Sequence, residues 1–244
     1  MTYFLLALAG IIAFTISTIA GGGGALLLLP IVGFLLGAQV AAPLVSIGAM
    51  VGRPVRLALF WKSIDWNVVK YYLPTALLGA LLGSWLFAQM KAEWLQVILG
   101  LFLISTFFQF RFGKKKRSFK MKLSYFIPLG FAVSFISGLT GATGPVLTPF
   151  YINYGLLKEK MIGTKTANSF FADIVKIGGY GAFGVLSGNL WLYGIALGLG
   201  VTVGNIIGKR LLKGMKNETF LKWVILLMVI SGGVMIFNQL QSFL

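Results

Sequence analysis

The sequence predicts an all-α polytopic membrane protein, built of two inverted repeats of about five helical elements each. Broken or re-entrant helices are expected at two Gly-rich motifs. Three observations carry this prediction. The 244 residues are 58% apolar and only 11% charged, whereas a soluble domain carries about 25% charged residues. Apolar stretches of membrane-crossing length recur from end to end. The chain also matches itself at an offset of 120 residues, Ile16 falling on Ile136.

A helix needs roughly 20 mostly apolar residues to cross a hydrocarbon core about 30 Å thick. Residues 3–20, 40–60, 68–90, 94–112, 123–140, 163–186, 190–208 and 220–243 meet that requirement. Two shorter apolar segments, 25–36 and 145–157, are little more than half a crossing. The first stretch does not read as a signal peptide, because no basic residue precedes it and its pattern returns inside the chain.

The charge balance is extreme, with 21 Lys and Arg against five acids. Cytoplasmic loops of membrane proteins are enriched in Lys and Arg. Seven of the basic residues fall in the run RFGKKKRSFKMK at 111–122, which reads as a cytoplasmic linker. Residues 61–70, 158–165 and 209–216 form the other basic connections, while 37–40, 89–93, 187–189 and both ends are nearly bare. The alternation predicts both termini outside and a division into a first repeat (1–112), a linker (113–122) and a second repeat (123–244). Lysines beside a membrane span mark topology or anionic lipid, so the excess does not predict a nucleic-acid partner.

At the 120-residue offset, ISTIAGGGG (16–24) lies over ISGLTGATG (136–144), with four of nine positions identical. Prolines follow each break: Pro30 in the first copy, Pro145 and Pro149 in the second. Ser46 then meets Thr166, Arg53 meets Asp173, and Arg56 meets Lys176. With small gaps, Gly79-xxx-Gly83 meets Gly200-xxx-Gly204, a pattern that reads as close helix packing. An odd number of crossings per half inverts the second copy relative to the first, a common transporter plan. Four true crossings per half would instead make the halves parallel, which fits the loop charge less well.

Composition removes much chemistry. With no His and no Cys, ordinary zinc sites, Cys nucleophiles and His-based acid–base pairs are excluded. No metal or cofactor is expected, no nucleotide-binding GxxxxGK[ST] run is present, and enzymatic turnover is not expected. Two kinds of site remain. Non-helical backbone inside a bilayer is tolerated only where protein or a water-filled cavity satisfies it. The breaks at Gly21, Gly22, Gly23 and Gly24 and at Gly141, Ala142, Thr143 and Gly144 are therefore expected to be buried. Each would expose the start of the next helix, whose free N–H groups attract anions. Charges inside apolar spans are costly and mark function by default: Arg53, Arg56, Asp173 and Lys176. Spacing of three puts each pair on one helix face. Asp173 is the acid placed to carry a coupling proton. Asn168, with Thr166, Ser169, Ser17, Ser137 and Thr140, could orient an oxyanion, although such side chains also link helices in any bundle.

The paired segments ISTIAGGGGALLLLP and ISGLTGATGPVLTPF resemble the sulfite exporter TauE/SafE family of transporters. The similarity extends over essentially the whole chain: two related halves, a basic central linker and compact loops. The resemblance implies export or uptake of a small sulfur-containing anion, such as sulfite or an organosulfonate, across a bacterial inner membrane, with export the expected direction. The chain departs from strict symmetry at the second break, where Gly-Ala-Thr-Gly replaces four glycines, so the halves are expected to contribute unequally. The resulting reading is a secondary transporter working by alternating access, with a small anion and the lipid bilayer as partners. Homo-oligomerisation is left open. An anion channel and a non-transporting membrane subunit are the rivals.

Overall fold

The computed structural model describes residues 1–19, 22–90, 121–142, 147–186, 188–215 and 219. All regular structure among these residues is helical. The helices are α1 (Thr2–Ile19), α2 (Gly24–Leu36), α3 (Ala38–Phe60), α4 (Trp66–Gln89), α5 (Phe126–Thr140), α6 (Thr148–Tyr154), α7 (Lys158–Ala182) and α8 (Leu190–Lys213). Among the described residues, five segments are long and apolar enough to cross a membrane: α1, Gln39–Ser63 around α3, α4, Leu123–Thr140 around α5, and α8. The expected fifth element of each half, at 94–112 and 220–243, lies outside the described residues, as does the linker except for Met121 and Lys122.

Element boundaries follow local chemistry. At a rise of 1.5 Å per residue, α2 with its 13 residues spans about 20 Å, less than the hydrocarbon thickness. Gly24 lies against Phe14 and Ser17, so α2 folds back on α1. A single glycine, Gly37 at φ +96°, separates α2 from α3. The carboxylate of Asp65 caps α4 by accepting from the backbone N–H of Asn67 and Val68 at 3.1 and 3.3 Å. The Asp65 N–H donates to Thr164 Oγ1 at 2.9 Å, tying the α3–α4 turn to α7. One sequence expectation needs correction. The basic stretch 158–165 is the first two turns of α7 rather than a connection. Its lysine at 165 is therefore carried into the helical core, 8% exposed.

Helix association in lipid cannot draw on a hydrophobic difference between neighbours, so close backbone approach through small residues takes over. Large apolar side chains accordingly point outward, Phe34, Phe4, Leu78 and Leu199 among them. Glycines form the seams. A Cβ at Gly79 would strike the Phe131 carbonyl oxygen of α5, and one at Gly83 that of Phe135. On the other side, Gly200, Gly204 and Gly208 of α8 meet Ala7, Ile11 and Thr15 of α1. The sequence match of Gly79 with Gly200 is one turn out of register with these contacts. Gly79 meets Phe131 O and Phe135 N, and Gly204 meets Ile11 O and Thr15 N, positions that lie 120 apart.

The contacts also give directions. Positions 7, 11 and 15 of α1 advance with 200, 204 and 208 of α8, while Ile47 and Val51 of α3 advance with Gly194 and Gly198. So α1, α3 and α8 run parallel. Likewise Phe131 and Phe135 advance with Gly79 and Gly83, and Ile64 and Ser84 of the α4 side with Gly163 and Gly179. So α4, α5 and α7 run parallel. Phe60 meets Gly163 while Arg53 reaches Ser169, which makes α3 and α7 antiparallel. Each trio thus takes two helices from one side of the linker and a fourth helix, α4 or α8, from the other.

Candidate functional site

Both glycine breaks return an N–H to one of two equivalent serine carbonyls, from five residues on at the first and four at the second. The Gly22 N–H returns to Ser17 O at 2.8 Å, and the Gly141 N–H to Ser137 O at 2.8 Å. Gly141 at φ +76° holds the left-handed backbone that stops α5, while Gly23 at φ +96° is the N-cap of α2. Beyond the first break, Gly23 caps α2 without a side-chain hydrogen bond, and its carbonyl accepts from Leu26 and Leu27. The first amides of a helix have no intrahelical partner, so the start of α2 presents N–H groups and a positive dipole end.

Those amides face a cavity. Gly22 through Ala25 form one part of its wall and Gly141 with Ala142 another, around a small cavity of about 70 Å³ that is partly open to the outside. Arg53 and Arg56 of α3 stand on the wall, with Lys165 and Asp173 of α7. Their placement follows from helical periodicity: positions 46, 53 and 56 share a face of α3, and 165, 169, 173 and 176 share a face of α7. Ser46 Oγ donates to Ala42 O and Thr166 Oγ1 to Ile162 O, both at 2.7 Å and 120 residues apart.

Arg56 is 8% exposed, and its Nε has no hydrogen-bond partner. An unpaired buried guanidinium N–H is expensive, and the residue that carries it lines the cavity. Lys165 Nζ donates to Thr148 Oγ1 of α6 at 3.3 Å. The Arg53 guanidinium forms an ion pair with Asp173 Oδ2 and donates to Ser169 O at 3.2 Å. Asp173 Oδ1 in turn holds Lys176 Nζ at 3.0 Å. Three cations and one acid therefore line the cavity, among the described residues. On the opposite wall Tyr72 of α4 shares a 3.3 Å hydrogen bond with Ser134 of α5.

The cavity brings together Gly22, Gly23, Gly24, Arg53, Arg56, Gly141, Ala142 and Asp173, all singled out from sequence. Gly21, Thr143 and Gly144 lie outside the described residues. Lys176 is not on the wall. It is 1% exposed and sits behind Asp173, donating to Ser137 Oγ at 3.2 Å and Gly141 O at 3.5 Å. Asn168 is also off the wall, giving its Nδ2 to Tyr151 OH at 2.8 Å. Sequence reasoning missed Lys165, Tyr72 and Ser134. The stripe 165, 169, 173 and 176 was the available signal for Lys165; nothing in the sequence marks Tyr72 or Ser134.

The sequence profile of the family described as Sulfite exporter TauE/SafE matches residues 6–235. The chain is 22% identical to "Probable membrane transporter protein YunE" of Bacillus subtilis (strain 168), in an alignment covering 99% of this chain and 100% of the relative. No solved structure matches the chain.

Proposed function

Because the chain belongs to the sulfite exporter TauE/SafE family, we propose that it is a secondary transporter of a small anion, sulfite or an organosulfonate, working by alternating access. The family and the Bacillus relative are membrane transporters by description, which speaks for transport and against enzymatic turnover. The observation that carries the anionic substrate is the cavity wall: Arg53, Arg56 and Lys165 against Asp173, with the start of α2 beside them. Buried cations and helix N-termini attract anions and discriminate against cations.

Two repeats of opposite orientation are the second part of the reading. Support comes from the antiparallel packing of α3 and α7, which coincide at the 120-residue offset, and from the exchange of α4 and α8 between the trios. Arg53 and Asp173 occupy equivalent positions and pair with each other, as residues beside a pseudo-twofold axis would. Rocking of one trio against the other would expose the cavity to alternate sides. A bacterial inner membrane is what the family resemblance implies, and the distribution of Lys and Arg supports both termini outside with the linker cytoplasmic. Export is the direction proposed, following the family description.

Purified protein in liposomes should show saturable sulfite or sulfonate flux that Arg56→Gln strongly reduces. Absence of flux for every tested anion would leave a non-transporting subunit as the reading. Unitary conductance steps in planar bilayers would favour a channel.

A further inference from the structure

We propose that Asp173 is a built-in counter-anion, which holds Arg53 in the empty carrier and is displaced from it by the transported anion. This inference rests on the anion-transport reading above and deepens it. Among the described residues, Asp173 is the acid that pairs with Arg53 and Lys176, and it stands on the same cavity wall as Arg56 and Lys165. Of the remaining acids, Asp65 caps α4, Glu159 lies in the first turn of α7, and residues 93 and 218 are outside the described residues. An empty cavity with no carboxylate would bury positive charge without compensation, which is costly.

The geometry makes Arg53 the exchangeable partner. Its side chain is 16% exposed and faces the cavity, while Asp173 is 4% exposed and Lys176 2%. Lys176 is anchored to α5 through Ser137 Oγ and Gly141 O, and so fixes Asp173 from behind. When an anion draws Arg53 away, Asp173 keeps its 3.0 Å contact with Lys176 and is not left as an isolated buried charge. The swap exchanges one ion pair for another. Its consequence is kinetic as well as energetic: the carboxylate opposes tight anion binding and lets the unloaded carrier change conformation with less uncompensated charge.

The test uses the full chain in detergent and in liposomes, with sulfite as the probe. Asp173→Asn is expected to bind sulfite about tenfold more tightly by calorimetry, because a competing anion has been removed. Net sulfite flux should fall at least about tenfold while sulfite–sulfite exchange persists, since an unloaded carrier no longer returns. The double variant Arg53→Gln with Asp173→Asn removes both charges of the pair and should bring the ratio of net flux to exchange back towards wild type. If Asp173→Asn is not recovered folded, this double variant carries the test through the same ratio. Unchanged or weaker binding in Asp173→Asn, loss of exchange together with net flux, or a double variant with a collapsed ratio would overturn the proposal. The competing reading, in which Asp173 carries a proton, predicts no gain in affinity and no rescue by the double variant. Wild-type protein without sulfite flux or binding would instead defeat the sulfite-transport reading from which this one follows.

Discussion

The two glycine breaks each return an N–H to an equivalent serine carbonyl and differ in how their described residues are held. At the first, the start of α2 opens onto the cavity, and Arg56 stands nearby with an Nε that no protein group accepts. At the second, the Gly141 carbonyl receives both Lys176 Nζ at 3.5 Å and Ser46 Oγ at 3.4 Å. Thr140 Oγ1 donates to Ala142 O at 2.8 Å, and the Tyr180 hydroxyl caps Gly138 O. The contrast is sharpest at positions 56 and 176, which coincide at the repeat offset. Arginine at the first lines the cavity, whereas lysine at the second neutralises the carbonyl end of α5, where a cation is favourable. Among the described residues both copies border the cavity, but at the second copy side chains hold the carbonyls of Gly138, Gly141 and Ala142. A duplicated element can in this way line a site with both copies and draw rigid support from one.

The largest effect that separates the copies is backbone strain with crowding. Gly141→Val should cost about 3 kcal/mol or more and depress yield and melting temperature, since a Cβ there meets Ala42 at 2.5 Å on left-handed backbone. Gly23→Ala, with φ +96° but nothing within 4 Å, should cost only about 1 kcal/mol. Equal losses on thermal unfolding in detergent would erase the proposed difference in packing. Next is Lys176→Met, expected to destabilise by about 3 kcal/mol, because Asp173 Oδ1 and the Gly141 carbonyl lose a buried cation.

Arg56→Gln belongs to the ligand side of the comparison. It should weaken anion binding by about 2 kcal/mol, roughly thirtyfold, with little change in melting, because its Nε supports no protein contact. A large fall in melting with unchanged binding would recast Arg56 as structural. The smallest effect is expected at Ser46→Ala. Its bond to Ala42 O is local and its reach to Gly141 O is long, so the loss should be below about 1 kcal/mol in thermal unfolding.

Much of this was legible because membrane burial makes exceptions conspicuous. Four glycines inside an apolar span, or Arg53 and Asp173 within one, cannot be ordinary lipid-facing residues, and each indeed borders the cavity where described. The seam glycines Gly79 and Gly83 were equally readable, since packing in lipid calls for small residues. Lys165 was hidden by its neighbours: Lys158 and Lys160 made the stretch look like a basic loop, whereas α7 starts early and carries Lys165 inward. The Tyr72–Ser134 contact depends on how α4 and α5 slide along their glycine seam, which no single-helix pattern reports. The different fates of Arg56 and Lys176 were hidden by the symmetry that matched them. What separates them is the closure of the second break, built from Ser46, Ser137 and Thr140 acting together.

Calorimetric titration of sulfite into wild type, Arg56→Gln and Lys176→Gln tests the division between the breaks most directly. Arg56 on the cavity wall and Lys176 among the groups that hold the second break predict that Arg56→Gln loses at least about tenfold in affinity. Lys176→Gln should keep affinity within about threefold while melting at a lower temperature. Affinity lost in Lys176→Gln and kept in Arg56→Gln would contradict the account.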